Sequence, residues 1–73
     1  MASQLQPTHV ILRRRQVESV TGLSRSSLYA MARRGLFPKP IRLSERTSGW
    51  IESEVQEFIQ ARIDASRNQL KGN

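Results

Sequence analysis

Two glycines, Gly22 and Gly35, confine the segment between them to one short helix. Ser24 is suited to cap the start of this helix, because its hydroxyl can accept a hydrogen bond from a backbone N–H that has no partner inside the helix. Glycine is common just after a helix, where the backbone turns left-handed, so Gly22 ends one helix and Gly35 ends the next. The sequence therefore predicts two short helices, 14–21 and 25–34, joined by a tight turn.

The second of these helices is amphipathic. At about 100° per residue, Leu28, Met31 and Ala32 fall on one side of it. The other side carries Ser26, Tyr29, Ala30 and Arg33. We expect the first side to pack against a core and the second side to remain free for a partner.

The chain after the second glycine is predicted to form a small β-hairpin. Pro38 and Pro40 exclude a helix there and favour an extended backbone. Residues 41–43 alternate apolar and basic side chains, as strands do, and residues 44–49 have the composition of a turn. An apolar pair follows, so we expect two short strands with Arg46 near the tip.

A third helix is predicted to follow the hairpin. Ser53 and Gln56 form a capping box, which marks a helix start. An apolar stripe then recurs at the spacing of one helix face: Val55, Phe58, Ile59 and Ile63. We expect this stripe to close the core over three earlier residues: Leu28, Phe37 and Trp50. The resulting fold class is mainly α, in the order helix, turn, helix, hairpin, helix.

The chain has 73 residues and no cysteine, which predicts one small domain in a reducing compartment. A domain of this size buries only about 60% of its unfolded surface, so an enclosed cofactor cavity does not fit. No apolar run approaches the roughly 20 residues that span a bilayer, so we expect no membrane association and a cytoplasmic location. We expect a disordered leader at 1–9, the domain at 10–64 and a frayed tail at 65–73.

Positive charge is concentrated in one part of the chain. Residues 1–51 carry nine basic and two acidic side chains, a net charge of +7, whereas residues 52–73 have a net charge of −1. Arginine dominates the basic residues, and its planar guanidinium suits phosphate oxygens and the edge of guanine. This distribution predicts a polyanionic partner, above all nucleic acid.

The sequence contains no pattern that indicates catalysis. His9 is the only histidine, and no cysteine or second histidine accompanies it, so neither a metal site nor a catalytic base is predicted. Nucleophile motifs and phosphate-binding glycine loops are also missing. We therefore expect no enzyme activity, no cofactor and no small-molecule ligand.

Three blocks of sequence resemble one family. The blocks are TGLSRSSLY at 21–29, RGLFPKPI at 34–41, and GW at 49–50 followed by SEV at 53–55. Together they closely resemble the AlpA-like phage regulators, which are small MerR-related and excisionase-related proteins. The resemblance covers about residues 11–62 and implies a winged helix-turn-helix fold. Ala30 departs from the family pattern, because arginine commonly follows the tyrosine of the second helix.

The resemblance implies sequence-specific binding to double-stranded DNA for a prophage or another integrated element. It implies a role as transcriptional regulator, as excisionase, or as both. An excisionase bends DNA beside an integrase. The second helix (25–34) would enter the major groove, and the wing (39–50) would lie on the DNA backbone or in the minor groove. Further copies of the chain on tandem sites, and an integrase, are the expected protein partners.

The expected DNA-binding residues form three groups. The recognition-helix group is Ser24, Arg25, Ser26, Ser27, Tyr29, Arg33 and Arg34. The wing group is Lys39, Arg42 and Arg46, and the N-terminal basic run is Arg13, Arg14 and Arg15. Arg25 is expected to reach base edges. The wing is expected to contact phosphates or a narrow minor groove, and Arg46 is the wing side chain expected in the minor groove.

Several of these residues have alternative roles. Ser26 and Ser27 either contact DNA or support the helix cap. Arg34 either contacts a phosphate or pairs with Glu18. The alternative for Arg46 is an ion pair with Glu45 or a place in a mobile tip. Trp50 is assigned to packing. The alternative function is that of a non-catalytic protein adaptor that uses the surface of the third helix.

Overall fold

The computed structural model describes residues 9–71, with side chains described as far as Gln69. The elements are β1 (Ile11–Leu12), α1 (Arg14–Thr21), α2 (Arg25–Arg33), β2 (Ile41–Ser44), β3 (Thr47–Ile51) and α3 (Glu52–Lys71). This arrangement of three helices and a small antiparallel sheet confirms the predicted fold class. Apart from the exposed His9, the expected leader lies outside the described residues.

Local interactions set the limits of the first two helices. The backbone N–H of Gly22 donates to the carbonyl oxygen of Glu18 at 2.8 Å, and Gly22 has a φ of 77°. The Ser24 hydroxyl accepts from the backbone N–H of Ser27 at 3.2 Å, as predicted for a cap. Helix α2 ends at Arg33, one residue before the predicted end, and Gly35 follows with a φ of 76°. A positive φ is cheap for glycine and costly for other residues, which explains both positions.

The sheet has three strands in the order β1-β3-β2, with β3 in the centre. The hairpin has a turn of only two residues, Glu45 and Arg46, because β3 already begins at Thr47. The predicted turn, residues 44–49, is therefore too long. The prediction that Arg46 lies at the tip is confirmed. Strand β1 was not predicted, and it pairs Leu12 with Trp50.

Helix α3 differs from its prediction at both ends. It starts at Glu52, directly after β3, so Ser53 lies inside the first turn and the predicted capping box is wrong. The backbone N–H of Glu52 instead donates to the carbonyl oxygen of Val10 at 2.7 Å, which extends the pairing of the first strand. The helix continues to Lys71, so the segment from residue 65, expected to fray, is helical as far as that residue.

The core surrounds Trp50, which is only 1% exposed. Its members are Leu12, Val17, Leu28, Ala32, Phe37, Trp50 and Val55. Phe58 and Ile59 of the predicted stripe pack against this cluster. The ring centroids of Phe37 and Phe58 are 4.7 Å apart in an edge-to-face arrangement. The prediction that α3 closes over Leu28, Phe37 and Trp50 is confirmed.

Gly49 allows β1 to lie close to β3. A Cβ atom at this position would lie 2.5 Å from Ile11 Cγ2 and 3.0 Å from the carbonyl oxygen of Leu12. Both distances are shorter than ordinary van der Waals contact, and the second involves backbone, which cannot move without disturbing the β1–β3 pairing. The close contact between β1 and β3 therefore explains, on steric grounds, why position 49 of the Gly-Trp block is a glycine.

Gly49→Ala is expected to lower the free energy of unfolding by about 1–3 kcal/mol, because the added methyl group overpacks the strand contact. Ser48→Ala, at the exposed neighbouring position, is the matched control and should change the stability by less than about 0.5 kcal/mol. Urea unfolding followed by the fluorescence of Trp50, the only tryptophan, measures both. Equal stability of the two variants would contradict the steric explanation.

Candidate nucleic-acid interface

Three distant segments of the chain meet around one basic cleft. The cleft has a volume of about 450 Å³ and is lined by Arg13, Arg14, Arg15, Tyr29, Arg46, Ser48 and Trp50. Arg13 lies at the N-cap of α1, and Arg14 and Arg15 begin that helix. Tyr29 lies on α2, and the last three residues belong to the hairpin. Members of all three predicted groups of DNA-binding residues therefore line a single concave surface.

The central strand explains why these segments meet. Strand β1 pairs with β3 and leads directly into the basic run that begins at Arg13. The same β3 strand follows Arg46 in the hairpin turn and carries Ser48 and Trp50 on one side, because alternate residues of a strand share a face. Pairing of the first and third strands thus brings the N-terminal arginines to the wing.

Arg14 is the most constrained arginine of the cleft. Its Nη1 donates to a carboxylate oxygen of Glu18, one helical turn later on α1. The alternative pairing of Glu18 with Arg34 is not formed in residues 9–69, where the ion pair of Glu18 is with Arg14. Arg14 is 34% exposed, and a guanidinium has five N–H donors, so the pairing does not use up its capacity to bind an anion.

Arg25 and Tyr29 form a contact at the start of α2. The Arg25 guanidinium carbon lies 6.0 Å from the centroid of the Tyr29 ring, at the outer limit of a cation–π interaction. The Tyr29 ring is in turn 5.8 Å from Trp50. The ring of Tyr29 therefore covers the edge of the core, although the residue lies on the side of the helix expected to stay free, and it connects an exposed arginine of the helix to the buried tryptophan.

Ser24 and Ser27 are engaged with one another. Besides accepting from the Ser27 backbone, the Ser24 hydroxyl donates to the Ser27 hydroxyl at 3.1 Å. This geometry favours the capping role for both residues. Ser26 is exposed on the outer side of the same helix turn.

A second basic groove lies on the other side of Tyr29. It has a volume of about 520 Å³ and is lined by Tyr29, Ala32, Arg33, Lys39 and Pro40. Tyr29 thus lies between two groups of basic side chains, one from the start of α1 and the wing tip, the other from the end of α2 and the connection to β2. Positive charge extends across the width of this face.

Arg42 and Ser48 complete the wing. Arg42 is exposed and lies opposite Ser48 in the register of the hairpin, and residues that face each other across an antiparallel pair share one side of the sheet. Arg42 therefore lies on the side of the hairpin that lines the basic cleft. Ser48 was not among the predicted residues, although its two-residue spacing from Arg46 and Trp50 is the pattern that would identify it.

The positive charge of this face is largely uncompensated. In residues 9–69, whose side chains the structure describes, the Arg14–Glu18 contact is the one ion pair, so the alternative pairing of Arg46 with Glu45 is not formed. Within the same range, no cluster of three or more His, Cys, Asp or Glu side chains could hold a metal ion. Likewise, no helix of the described part is both long enough and apolar enough to cross a membrane.

Comparison with known proteins relates this architecture to one family. The sequence profile described as "Prophage CP4-57 regulatory protein (AlpA)" matches residues 10–63, which is well over half of the chain. The chain belongs to the AlpA family. It is also 38% identical over 52 residues to the uncharacterized protein ORF88 of Enterobacteria phage P4, a match that covers 71% of this chain and 59% of the phage protein.

Family membership confirms the resemblance that the three sequence blocks indicated. The matched range contains both short helices, the wing and the first part of α3, and therefore every member of the basic cleft. The AlpA description is that of a prophage regulatory protein, which agrees with the regulatory class expected from the sequence.

The packing of Tyr29 generates a stability prediction. Tyr29→Ala should lower the free energy of unfolding by about 1–3 kcal/mol, because it removes a half-buried ring from Trp50. Tyr29→Phe keeps the ring and should remain within about 0.5 kcal/mol of the parent protein. Urea titration of both variants measures the difference, and a destabilised Tyr29→Phe would mean that the hydroxyl has a structural role.

Proposed function

We propose that this AlpA-family protein binds double-stranded DNA through the basic face around Tyr29. In this arrangement α2 enters the major groove and the β2–β3 wing follows the DNA backbone or the adjacent minor groove. The observation that carries the proposal is the cleft in which four arginines from the start of α1 and the wing tip surround Tyr29 of α2. A face of this kind attracts phosphates by charge alone and reaches bases through the helix.

Each group of residues has a distinct task in this proposal. Arg25 lies at the exposed N-terminal end of α2, where side chains reach base edges in helix-turn-helix complexes, and Ser26 lies beside it. Arg13, Arg15 and Arg46 are exposed and neutralise phosphates. Arg33 and Lys39, on the other side of Tyr29, extend the phosphate contacts along the duplex.

The biological role that follows is regulation of a prophage or integrated element in the cytoplasm of its host. The protein would act as transcriptional regulator, as excisionase, or as both, since the two roles use the same contacts and differ in where the site lies. Footprinting separates them. Protection upstream of an integrase promoter supports regulation, and protection within the attachment site, with bending and contact to an integrase, supports excision.

Binding should depend strongly on salt. If the basic face neutralises about five to eight phosphates, log K should fall against log salt with a slope of roughly 0.9 per phosphate. Titrating a labelled duplex at three salt concentrations by fluorescence anisotropy measures this slope. A slope shallower than about −2 contradicts the proposed footprint. Absence of binding even at low salt would leave the adaptor function on the surface of α3.

Substitutions in the helix and in the wing should have different effects. Arg25→Ala should weaken binding to the cognate site by about 1–3 kcal/mol and barely change binding to random DNA, because it removes a base contact. Arg46→Ala should weaken both and make the salt slope shallower by about one unit, because it removes a phosphate contact. Both side chains are exposed, so neither substitution should disturb folding.

The comparison requires cognate and scrambled duplexes at three salt concentrations, with thermal melts of each variant. Arg67→Ala, on the exposed C-terminal half of α3, is a control that removes the same charge far from the cleft. If Arg25→Ala left the specificity ratio unchanged while Arg46→Ala abolished it, the roles assigned to α2 and the wing would be reversed.

A further inference from the structure

Helix α3 has an apolar face that the rest of the domain does not cover. Two grooves border this face, and half-buried Phe58 lines both of them. The first groove, of about 520 Å³, lies between α3 and the connection that follows α2, and it includes Leu36 and Glu54. The second, of about 440 Å³, lies between α3 and the ends of α1 and α2, and it includes Val20 and Arg62.

Apolar side chains are unusually open on both sides of Phe58. Leu36 is 53% exposed at the first groove, and Val20 is 48% exposed at the second. The second groove is the more apolar in composition, since Leu23, Met31, Ile59 and Ile63 also contribute to it. Neighbouring apolar side chains that remain open to solvent are typical of an interaction surface.

Along this face, a negative charge lies on one side of Phe58 and a positive charge lies on the other. Glu54 lies four residues before Phe58, and Arg62 lies four residues after it. Residues spaced by four share one stripe of a helix, so the three side chains lie in a row. When two copies of such a helix cross antiparallel at Phe58, Glu54 of each copy lies opposite Arg62 of the other. The stripe is therefore complementary to itself.

Electrostatics also favour this face over others for contact between copies. Residues 1–51 carry a net charge of +7, and any contact between two basic faces would bring arginines together. Residues 52–73 have a net charge of −1, so two copies can approach along α3 with little repulsion. The basic cleft contains no residue of either groove and stays free in such a pair. Among the proposed DNA-binding residues, Lys39 alone also lines one of the two grooves, the first.

We infer that two copies of the chain associate through α3, antiparallel about a two-fold axis at Phe58. Leu36 of each copy would enter the apolar groove beside Arg62 of the other, while Glu54 and Arg62 pair at both ends of the contact. The two grooves adjoin through Phe58, and a two-fold interface uses the same patch on both subunits, so a closed dimer follows rather than an open chain.

This inference goes beyond the proposed DNA binding, which does not depend on any contact between copies of the chain. A two-fold dimer presents two basic clefts in opposite orientations. Its preferred DNA target would consist of inverted half-sites, not direct repeats, because operator symmetry mirrors the symmetry of the protein.

Charge reversal tests the dimer without DNA. Sedimentation equilibrium of the parent protein should detect a monomer–dimer equilibrium at concentrations below about 1 mM. Glu54→Arg and Arg62→Glu should each weaken the dimer by about tenfold or more, because each places like charges together at both ends. The double variant E54R/R62E should restore the dimer. Mixing the two single variants should restore it as well, since their heterodimer pairs opposite charges at both ends.

Arg67→Glu is the matched control, because it changes the net charge as Arg62→Glu does but lies on the opposite side of the helix. It should leave the dimer within about twofold of the parent, and circular dichroism should show all variants equally helical. A parent protein that is monomeric up to about 1 mM overturns the inference, as does a double variant or a mixture that fails to associate. E54R/R62E conserves the net charge, so its affinity for a single DNA half-site should stay within about twofold of that of the parent. This measurement separates a failure of the proposed DNA binding from a failure of the dimer.

Discussion

The position of Trp50 determines how the parts of this domain fit together. Its backbone pairs with Leu12, its ring contacts Tyr29 and Phe37, and its indole N–H donates to the carbonyl oxygen of Pro38 at 2.9 Å. A buried indole N–H without a partner would cost about 1–3 kcal/mol, so this hydrogen bond fixes the orientation of the ring. One residue thereby joins the first strand, the second helix and the segment that leads into the wing.

The functional surface follows from this packing. Because the Trp50 ring packs on Tyr29 of α2, the third strand and the outer face of α2 are joined through one contact in the core. The proposed binding of DNA by α2 and the wing depends on their relative position, since bases and phosphates have fixed spacing. The arginines remain exposed around a core that contains no buried polar or charged side chain among the described residues.

The distribution of charge separates two surfaces of one small domain. The basic face collects residues from the first two helices and the wing, whereas α3 begins with acidic side chains and presents an apolar edge. Repulsion between basic faces prevents contact there, and the edge around Phe58 remains available for a second copy. A chain of 73 residues can in this way carry a basic cleft and a proposed association face that share no lining residue, with Lys39 at the border between the two surfaces.

The sequence by itself determined the elements whose limits depend on near neighbours. Gly22, Ser24 and Gly35 set the first two helices, and the stripe of α3 predicted the core, because these signals act within a few residues. Only the tertiary structure decided that residues 11–12 form a strand, that α3 starts at Glu52, and that the N-terminal arginines meet the wing tip. A strand of two residues has no periodicity to detect, and its pairing depends on a strand far along the chain.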